Sequence, residues 1–245
     1  MIKRIIFDLD NTLIEWKDEY WDGVEEALNF ANIKHTKQDI KDIENAMNKY
    51  ESEYNIYTKE NMLECINKYI KIKVNMEFLE KCLEHFSNCI PNKIDKDINE
   101  TLEYLSKKYE LVVLTNWFEK QQAKRLETVK ILKYFSEVYA PETFLIKPNK
   151  EAFMKACQNK PEEAVMVGDS LKADIEGAIN AGLKAIYINK NAEKGSKDYI
   201  TINEFSELKN ILWKKEVLQM YTKCDTIHII DYRRCLVCLK QIRCI

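Results

Sequence analysis

Short apolar segments alternate with helical segments between residues 97 and 213 of this 245-residue chain. The apolar segments are rich in β-branched residues, which is typical of strands buried on both faces of a sheet. With a similar segment near the N-terminus, the predicted strands are 5–7, 111–116, 137–140, 164–169 and 184–189. Periodicity predicts helices at 98–108, 118–129, 149–158, 171–181 and 204–213. Because strands that alternate with helices usually pair in parallel, we expect a parallel sheet covered on both faces.

Residues 15–92 show helical periodicity and no convincing strand. Apolar residues recur there at the spacing of one helix face, which predicts helices at 16–32, 37–55, 59–72 and 76–90. Thr36 and Asp39 resemble a capping box at the start of the second helix. We therefore predict an α/β fold whose core is a Rossmann-like parallel sheet, with an all-α helical domain inserted after the first strand. The predicted boundaries are 1–14 and 93–213 for the core, 15–92 for the insert and 214–245 for a C-terminal extension of unknown structure.

The composition and the distribution of charge argue against two classes of partner, nucleic acids and membranes. Hydrophobic residues make up 46% of the sequence, charged residues make up 32%, and the formal net charge is −2. Because the lysines are spread along the chain, we expect no nucleic acid polymer as a partner. No segment approaches the ~18 apolar residues of a transmembrane helix, so we expect no membrane partner. Asp8 interrupts the apolar run after Lys3 and Arg4, which argues against a signal peptide, and the eight cysteines are then expected to be reduced thiols in a cytoplasm.

Polar residues stand at the ends of four predicted strands. In an open α/β sheet, ligands bind beyond the carboxyl ends of the strands. The residues concerned are Asp8, Asp10, Asn11 and Thr12, then Thr115 and Asn116, then Lys147, and finally Asp169, Ser170 and Asp174. We expect this edge of the sheet to gather three or four acids, one cation and a hydroxyl group. Asp169 or Ser170 is also expected to cap the helix that follows.

Carboxylates at that density repel one another. Two unit charges about 4 Å apart interact by about 4 kcal/mol at an effective dielectric constant of ~20. A divalent cation reverses the sign of this interaction, and Mg²⁺ commonly binds one or two carboxylates together with substrate phosphate. We therefore predict an Mg²⁺ site with Asp8 and Asp169 as anionic ligands and a backbone carbonyl near Asp10 as a third ligand.

Such a site suits phosphoryl transfer. A carboxylate beside a metal can attack phosphorus and form an aspartyl-phosphate. Attack on a phosphate dianion depends mainly on charge neutralisation, which the metal, Lys147 and the backbone N–H groups after Thr115 would supply. Asp10 suits general acid–base catalysis, because it could protonate the leaving oxygen and later take a proton from water.

Four motifs in the sequence resemble those of the haloacid dehalogenase (HAD) superfamily. FDLDNT, LTN, KP and GDSLKAD match that superfamily in order and spacing. The similarity covers residues 1–13 and 98–212, and the helical insert resembles the superfamily's helical cap. Two acids spaced D-x-D resemble the phosphatase branch, whereas haloacid dehalogenases proper lack the second acid.

The resemblance implies a role for each matching residue. It implies Asp8 as the nucleophile and Asp10 as the general acid and base. It implies that the substrate phosphate is held by Thr115, Asn116 and Lys147. It implies that Mg²⁺ is organised by Asp169 and Asp174, and with Asp8 and Asp10 the predicted metal site has four residues.

Within the phosphatase branch, the chain is most similar to nucleotidase-type and N-acylneuraminate-phosphatase-type members. The segments that carry this similarity are QQAKRLETVKILKYF, KPNKEAF and GDSLKADIEGAINAG. Those members usually have a small residue after the Asn of the second motif, whereas this chain has Trp117. We expect Trp117 and Trp16 to form walls of the substrate pocket, because both stand near catalytic strand ends.

The predicted activity is Mg²⁺-dependent hydrolysis of a small phosphate monoester, a nucleoside monophosphate or a sugar phosphate, by a monomer or homodimer. The alternatives are a phosphonatase that uses a cap lysine, a dehalogenase, a phosphomutase and a non-catalytic binding protein on this fold. A dehalogenase is disfavoured because Asp10 would have no leaving oxygen to protonate. The extension 214–245 contains one C-x-x-C pair, Cys235 and Cys238, without the second pair usual for structural zinc.

Overall fold

The computed structural model describes residues 1–15, 22–91, 94–189, 191 and 196–212. The strands in this part of the chain are β1 (Arg4–Phe7), β2 (Glu110–Leu114), β3 (Glu137–Tyr139), β4 (Ala164–Gly168), β5 (Lys184–Ile188) and β6 (Ile200–Ile202). They form one sheet in the order β3-β2-β1-β4-β5-β6, and every neighbouring pair is parallel. The predicted parallel α/β sheet is therefore confirmed, and β1 lies between β2 and β4.

Helices surround the sheet and form the inserted layer. They are α1 (Gly23–Phe30), α2 (Lys37–Glu53), α3 (Lys59–Tyr69), α4 (Met76–Asn88), α5 (Lys96–Ser106), α6 (Glu119–Thr128), α7 (Lys150–Ala156) and α8 (Gly177–Asn180). A π-helical turn, Leu171–Glu176, leads into α8. Residues 207–212 are helical as well.

Both faces of the sheet are buried, which explains the unbroken apolar run in β1. Ile5 and Phe7 point into a cluster with Leu102 of α5. Ile6 points to the opposite face and packs in a cluster with Phe153 of α7. Because successive side chains of a strand point to opposite faces, a strand covered by helices on both sides must be apolar throughout.

The helices α1–α4 pack around a hydrophobic cluster of their own, which includes Val24, Met47, Ile66 and Phe78. The predicted capping box is confirmed, since Thr36 and Asp39 bond reciprocally at the start of α2. Residues 22–88 thus form an all-α layer, as the sequence predicts. The domain boundaries given above remain predictions.

Three local features differ from the sequence-based expectations. The strand β6 is not predicted, because three residues at a sheet edge show too little alternation to be distinguished from a loop. The helix predicted at 149–158 is shorter: α7 spans Lys150–Ala156, and the side chain of Asn149 caps it through the amide of Glu151. The predicted helix 171–181 starts as a wide turn in which Ile175 N donates to Ser170 O at 3.2 Å.

Other predicted features are confirmed or lie beyond the described part. Gly182, which follows the last turn of α8, has a φ of +90°, which is typical of a glycine that ends a helix. Among the described helices, none is long and apolar enough to cross a membrane. Trp16 and the extension 214–245 lie outside the described residues.

Candidate active site

The carboxyl ends of adjacent strands bring the predicted polar residues together. Asp8 directly follows β1, and its amide still donates to Val167 O of β4 at 2.9 Å. Thr115 follows β2, and Asp169 follows β4. The loop after β3 delivers Lys147 to the same place. Because β2, β1 and β4 are neighbours, these side chains need only short loops to meet.

Lys147 lies between two carboxylates. Its Nζ donates to Asp8 Oδ1 and to Asp174 Oδ1, each at 2.6 Å. The side chains of Lys147 and Asp174 are 3% and 1% exposed, and that of Asp8 is 11% exposed. Such a buried ion-pair network has few alternative partners, so each member fixes the position of the others.

The electrostatics of this group follow from burial and crowding. Burial raises the pKa of the Asp8 carboxyl well above its usual range, Lys147 lowers it, and the neighbouring Asp174 raises it again. Burial lowers the pKa of Lys147, but the carboxylates of Asp174 and Asp8 raise it more, so its pKa ends above the ordinary value. Burial and Asp174 also raise the pKa of Asp169. An additional nearby cation would stabilise the ionised form of these crowded carboxylates.

Three acids converge closely enough to bind one metal ion. One carboxylate oxygen each from Asp8, Asp169 and Asp174 lies within 4.8 Å of the other two. An all-oxygen, carboxylate-rich donor set suits Mg²⁺ and not a soft metal. The carboxylate of Asp10 is not in this group. Its predicted contribution to the metal, a backbone carbonyl, remains a prediction.

Local structure explains how Asp174 reaches the cluster. The amide of Ser170 donates to Asp174 Oδ2 at 3.0 Å, and Ser170 Oγ accepts from Ala173 N, which confirms the expected cap. A Cβ atom at Gly168 would overlap the side chain of Asp174, so a larger residue would displace this acid. Thr12 Oγ1 donates to Asp169 Oδ1 at 3.3 Å and orients the third acid.

Asn116 holds the backbone of Lys147. Its Nδ2 donates to Lys147 O at 2.9 Å, and its Oδ1 accepts from Lys147 N at 2.8 Å. This reciprocal pair uses both ends of the amide and joins the loop after β2 to the loop after β3. The predicted contact of Asn116 with phosphate remains a prediction, while the geometry gives it a role in placing Lys147.

Asp10 faces a different set of partners, which the sequence does not predict. Gln122 Nε2 donates to Asp10 Oδ2 and to Thr115 Oγ1, each at 2.9 Å. Arg125 Nη1 donates to Asp10 Oδ1 at 2.5 Å and to Gln122 Oε1 at 2.8 Å. Both new residues lie on α6, three positions apart. The available signal in the sequence was that both residues lie, at i and i+3, within QQAKRLETVKILKYF, a segment that carries the similarity to phosphatase-branch members.

The amino end of α6 is already occupied by an acid. The amide of Glu119, the first residue of α6, donates to both carboxylate oxygens of Glu142 at 3.2 Å. Burial raises the pKa of Glu142. The expected contact between a phosphate and backbone N–H groups therefore depends on the loop before α6 and not on the first turn of the helix.

Trp117 anchors the helical layer to the sheet domain. It is 7% exposed and belongs to the hydrophobic cluster of α1–α4. Its ring lies edge-on to Tyr57 at 6.3 Å and close to Phe86 of α4 at 5.9 Å between centroids. Among the described residues, its Nε1 has no hydrogen-bond partner. Its predicted role as a pocket wall remains a prediction.

Two backbone hydrogen bonds also join the helical layer to the loop that carries Lys147. Tyr57 N donates to Pro141 O, and Ile146 N donates to Asn55 O, each at 2.8 Å. The residue next to Lys147 is thus held directly by the helical layer.

Comparison with known proteins identifies the family of this chain. The sequence model of haloacid dehalogenase-like hydrolases matches residues 5–188. The chain belongs to this family. The resemblance inferred from its four motifs is thereby confirmed.

This haloacid dehalogenase-like hydrolase has phosphatases among its similar curated relatives. It is 29% identical to the glyceraldehyde 3-phosphate phosphatase of Methanothermobacter thermautotrophicus over 86% of this chain and 100% of the relative. It is 28% identical to human N-acylneuraminate-9-phosphatase over 78% of this chain and 84% of the relative. The predicted hydrolase class and phosphatase branch agree with these names.

The fold agrees with a solved structure of the same family. The HAD-hydrolase YfnB of Bacillus subtilis, bound to magnesium, superposes with a TM-score of 0.63 at 20% identity, over 86% of this chain and 98% of that chain. At this identity the likeness supports the fold alone. The roles of individual residues in the present chain are therefore proposals.

Proposed function

We propose that the protein is an Mg²⁺-dependent phosphomonoesterase that forms an aspartyl-phosphate on Asp8. The observation that carries this proposal is the position of Asp8, which contacts the Lys147 ammonium and shares an oxygen cluster with Asp169 and Asp174. A carboxylate held between a cation and a divalent-ion site can approach a phosphate dianion without charge repulsion.

In the first step, an oxygen of Asp8 forms a bond to phosphorus. The bond between phosphorus and the leaving oxygen breaks, and its electron pair stays on that oxygen. Asp10 donates a proton to it, so the product leaves as an alcohol. In the second step, Asp10 takes a proton from a water molecule that attacks phosphorus, and the bond to Asp8 breaks to release phosphate.

Asp8, Asp169 and Asp174 are the residues that would hold Mg²⁺. When bound there, the ion supplies positive charge to the transferring phosphoryl group and compensates for the crowded carboxylates. The carboxylate-rich donor set described above supports this assignment.

Thr115 and Lys147 are suited to hold the phosphoryl oxygens. Thr115 Oγ1 accepts its hydrogen bond from Gln122, which leaves the hydroxyl proton available for a phosphoryl oxygen. Lys147 has three N–H donors, of which two point to Asp8 and Asp174. The third is available to the substrate.

The named relatives act on small phosphorylated compounds, and we propose the same class of substrate here, a sugar phosphate or a nucleoside monophosphate. The test is release of phosphate by the purified full chain from a panel of such compounds with Mg²⁺. Asp8→Asn should lower turnover about 10⁴-fold or more, because the nucleophile is lost. Asp198→Asn, which changes an exposed acid, is the matched control and should behave like the wild type.

Two results would overturn the proposal. Wild-type protein that releases no phosphate from any compound of the panel would exclude the activity. An Asp8→Asn variant with most of the wild-type turnover would exclude the mechanism. The cytoplasmic location and the monomeric or homodimeric state are predictions that this assay does not address.

A further inference from the structure

Both oxygens of the Asp10 carboxylate accept hydrogen bonds from one helix. Arg125 Nη1 donates to Oδ1 at 2.5 Å, and Gln122 Nε2 donates to Oδ2 at 2.9 Å. Each carboxylate oxygen can accept two hydrogen bonds. The two donors therefore fix the plane of the carboxylate and leave one position on each oxygen for a proton or for a reacting group.

The donors themselves have little freedom. Gln122 is fully buried, and Arg125 is 1% exposed. They also bond to each other, from Arg125 Nη1 to Gln122 Oε1 at 2.8 Å. Since Gln122 also donates to Thr115, the same pair of residues sets the position of Asp10 relative to the end of β2.

Arg125 extends this network to the helical layer. Its Nε donates to Cys89 O at 3.3 Å. Cys89 directly follows α4, and α4 packs against α6. One buried guanidinium thus contacts the proposed general acid and the carboxyl end of the last helix of the insert.

We propose that Gln122 and Arg125 are positioning residues that aim the Asp10 carboxylate at the leaving oxygen, and that Arg125 makes this orientation depend on the docking of α4. The inference rests on the proposed function, because it deepens the role of Asp10 in the same reaction. It adds two residues outside the four sequence motifs and joins the position of the insert to the proton-transfer step.

The proposal has a kinetic consequence that depends on the leaving group. An alkyl phosphate releases a strongly basic oxygen, which needs the proton of Asp10 as the P–O bond breaks. The leaving group of p-nitrophenyl phosphate is a stable phenolate that departs without that proton. Loss of orientation at Asp10 therefore affects kcat/KM for alkyl phosphates more than kcat/KM for p-nitrophenyl phosphate.

The test compares Arg125→Met, Arg125→Lys and Gln122→Leu on both kinds of substrate. Arg125→Met should lower kcat/KM about 10²-fold for the best alkyl phosphate and less than about tenfold for p-nitrophenyl phosphate. Arg125→Lys keeps the charge and should recover part of the loss, and it also provides a folded protein if the Met variant fails to fold. Lys124→Met removes an exposed cation from the same helix and should match the wild type on both substrates.

A double variant tests whether Arg125 acts through Asp10. In the Asp10→Asn background there is no general acid to orient, so Arg125→Met should cause little further loss. Equal losses on both substrates, or additive losses in the double variant, would reduce Arg125 to a structural role and overturn the proposal. Wild-type kinetics in the Arg125 variants would overturn it as well. A wild-type protein without phosphatase activity would instead contradict the proposed function.

The link to the insert has a readout that does not need turnover. Arg125→Met should accelerate amide hydrogen exchange in the last turn of α4, whereas Lys124→Met should not. Unchanged exchange there in the Arg125 variant would remove the docking part of the proposal.

Discussion

Asp8 and Asp10 stand two residues apart after the same strand, yet different parts of the molecule hold them. The carboxylate of Asp8 belongs to the sheet edge, where it contacts Lys147 and lies beside Asp169 and Asp174. The carboxylate of Asp10 belongs to α6, where Gln122 and Arg125 occupy both of its oxygens. Buried Leu9 separates the two side chains.

This difference explains how two identical side chains can take different chemical roles. Loops at the end of a rigid sheet hold Asp8 among charges that favour attack on phosphorus and binding of a divalent ion. A helix that also contacts the insert holds Asp10, so its position can follow the insert. The proposed nucleophile is thus held by the core, and the proposed general acid is held at the boundary between core and insert.

Among changes at the sheet edge, replacing Lys147 should cause the largest loss of stability. Lys147→Met removes the cation between Asp8 and Asp174, so two buried carboxylates face each other without compensation. The free energy of unfolding should fall by about 3–5 kcal/mol in EDTA, and Mg²⁺ should restore part of it. Chemical denaturation with and without Mg²⁺ measures this.

Lys150→Met, which removes an exposed lysine from the same segment, is the control and should leave stability nearly unchanged. Wild-type stability of Lys147→Met in EDTA would contradict the claim that the sheet-edge carboxylates depend on Lys147 for charge compensation.

Asp10→Asn addresses the α6 region and should lower activity; because buried Arg125 then lacks its carboxylate partner, the free energy of unfolding should fall as well. The amide keeps the shape of the carboxylate but cannot exchange a proton with the leaving oxygen or water. Turnover of an alkyl phosphate should fall about 10³-fold. Steady-state kinetics beside Asp198→Asn measures the loss, and a loss below tenfold would remove Asp10 from the proton-transfer steps.

Adding Mg²⁺ should stabilise the sheet-edge region by an intermediate amount. An ion that binds the folded state alone adds about 2.7 kcal/mol at a concentration of ~100 Kd. The thermal midpoint should therefore rise with Mg²⁺ in the wild type and much less in Asp169→Asn. The same rise in both proteins would place the ion outside the cluster of Asp8, Asp169 and Asp174.

Thr12→Val should have the smallest effect. It removes a 3.3 Å hydrogen bond that orients Asp169. Such a bond contributes about 0.5–1.5 kcal/mol. Mg²⁺ affinity measured by calorimetry should fall less than about tenfold, while the kinetics of the Asp10-dependent proton transfer at saturating Mg²⁺ stay unchanged. A loss of Mg²⁺ binding as large as that of Asp169→Asn would make Thr12 part of the metal site itself.

The sheet-edge region could be predicted from the sequence, whereas the α6 region could not. Asp8, Lys147 and Asp169 follow segments whose apolar runs predict parallel strands, and parallel strands end at one edge of the sheet. Topology therefore brings Asp8 and Asp169 together, and the loop after β3, which Asn116 holds, carries Lys147 to them. The position of Asp174 does not follow from the strand ends alone, because the wide turn after Ser170 is what carries its carboxylate back into the cluster.

Arg125 could not be predicted because its sequence context is typical of an exposed helix. It stands between Lys124 and Leu126 in a segment rich in polar residues, and a charged side chain in such a helix is usually solvated. Its burial depends on tertiary contacts, since Asp10 and Cys89 approach from separate parts of the chain. The placement of Trp117 in the insert's hydrophobic cluster has the same cause: the partners belong to helices far away in sequence.

The central claim is that Asp8, and not its neighbour two residues later, carries the phosphoryl group. The direct measurement uses Asp10→Asn, in which hydrolysis of the intermediate is slow, mixed with an activated phosphate monoester and Mg²⁺ and quenched in acid. Borohydride reduction and tandem mass spectrometry of the peptide 5–17 should then show homoserine at position 8. Unmodified Asp8 at a time when phosphate is being released, or a modified residue elsewhere, would contradict the claim.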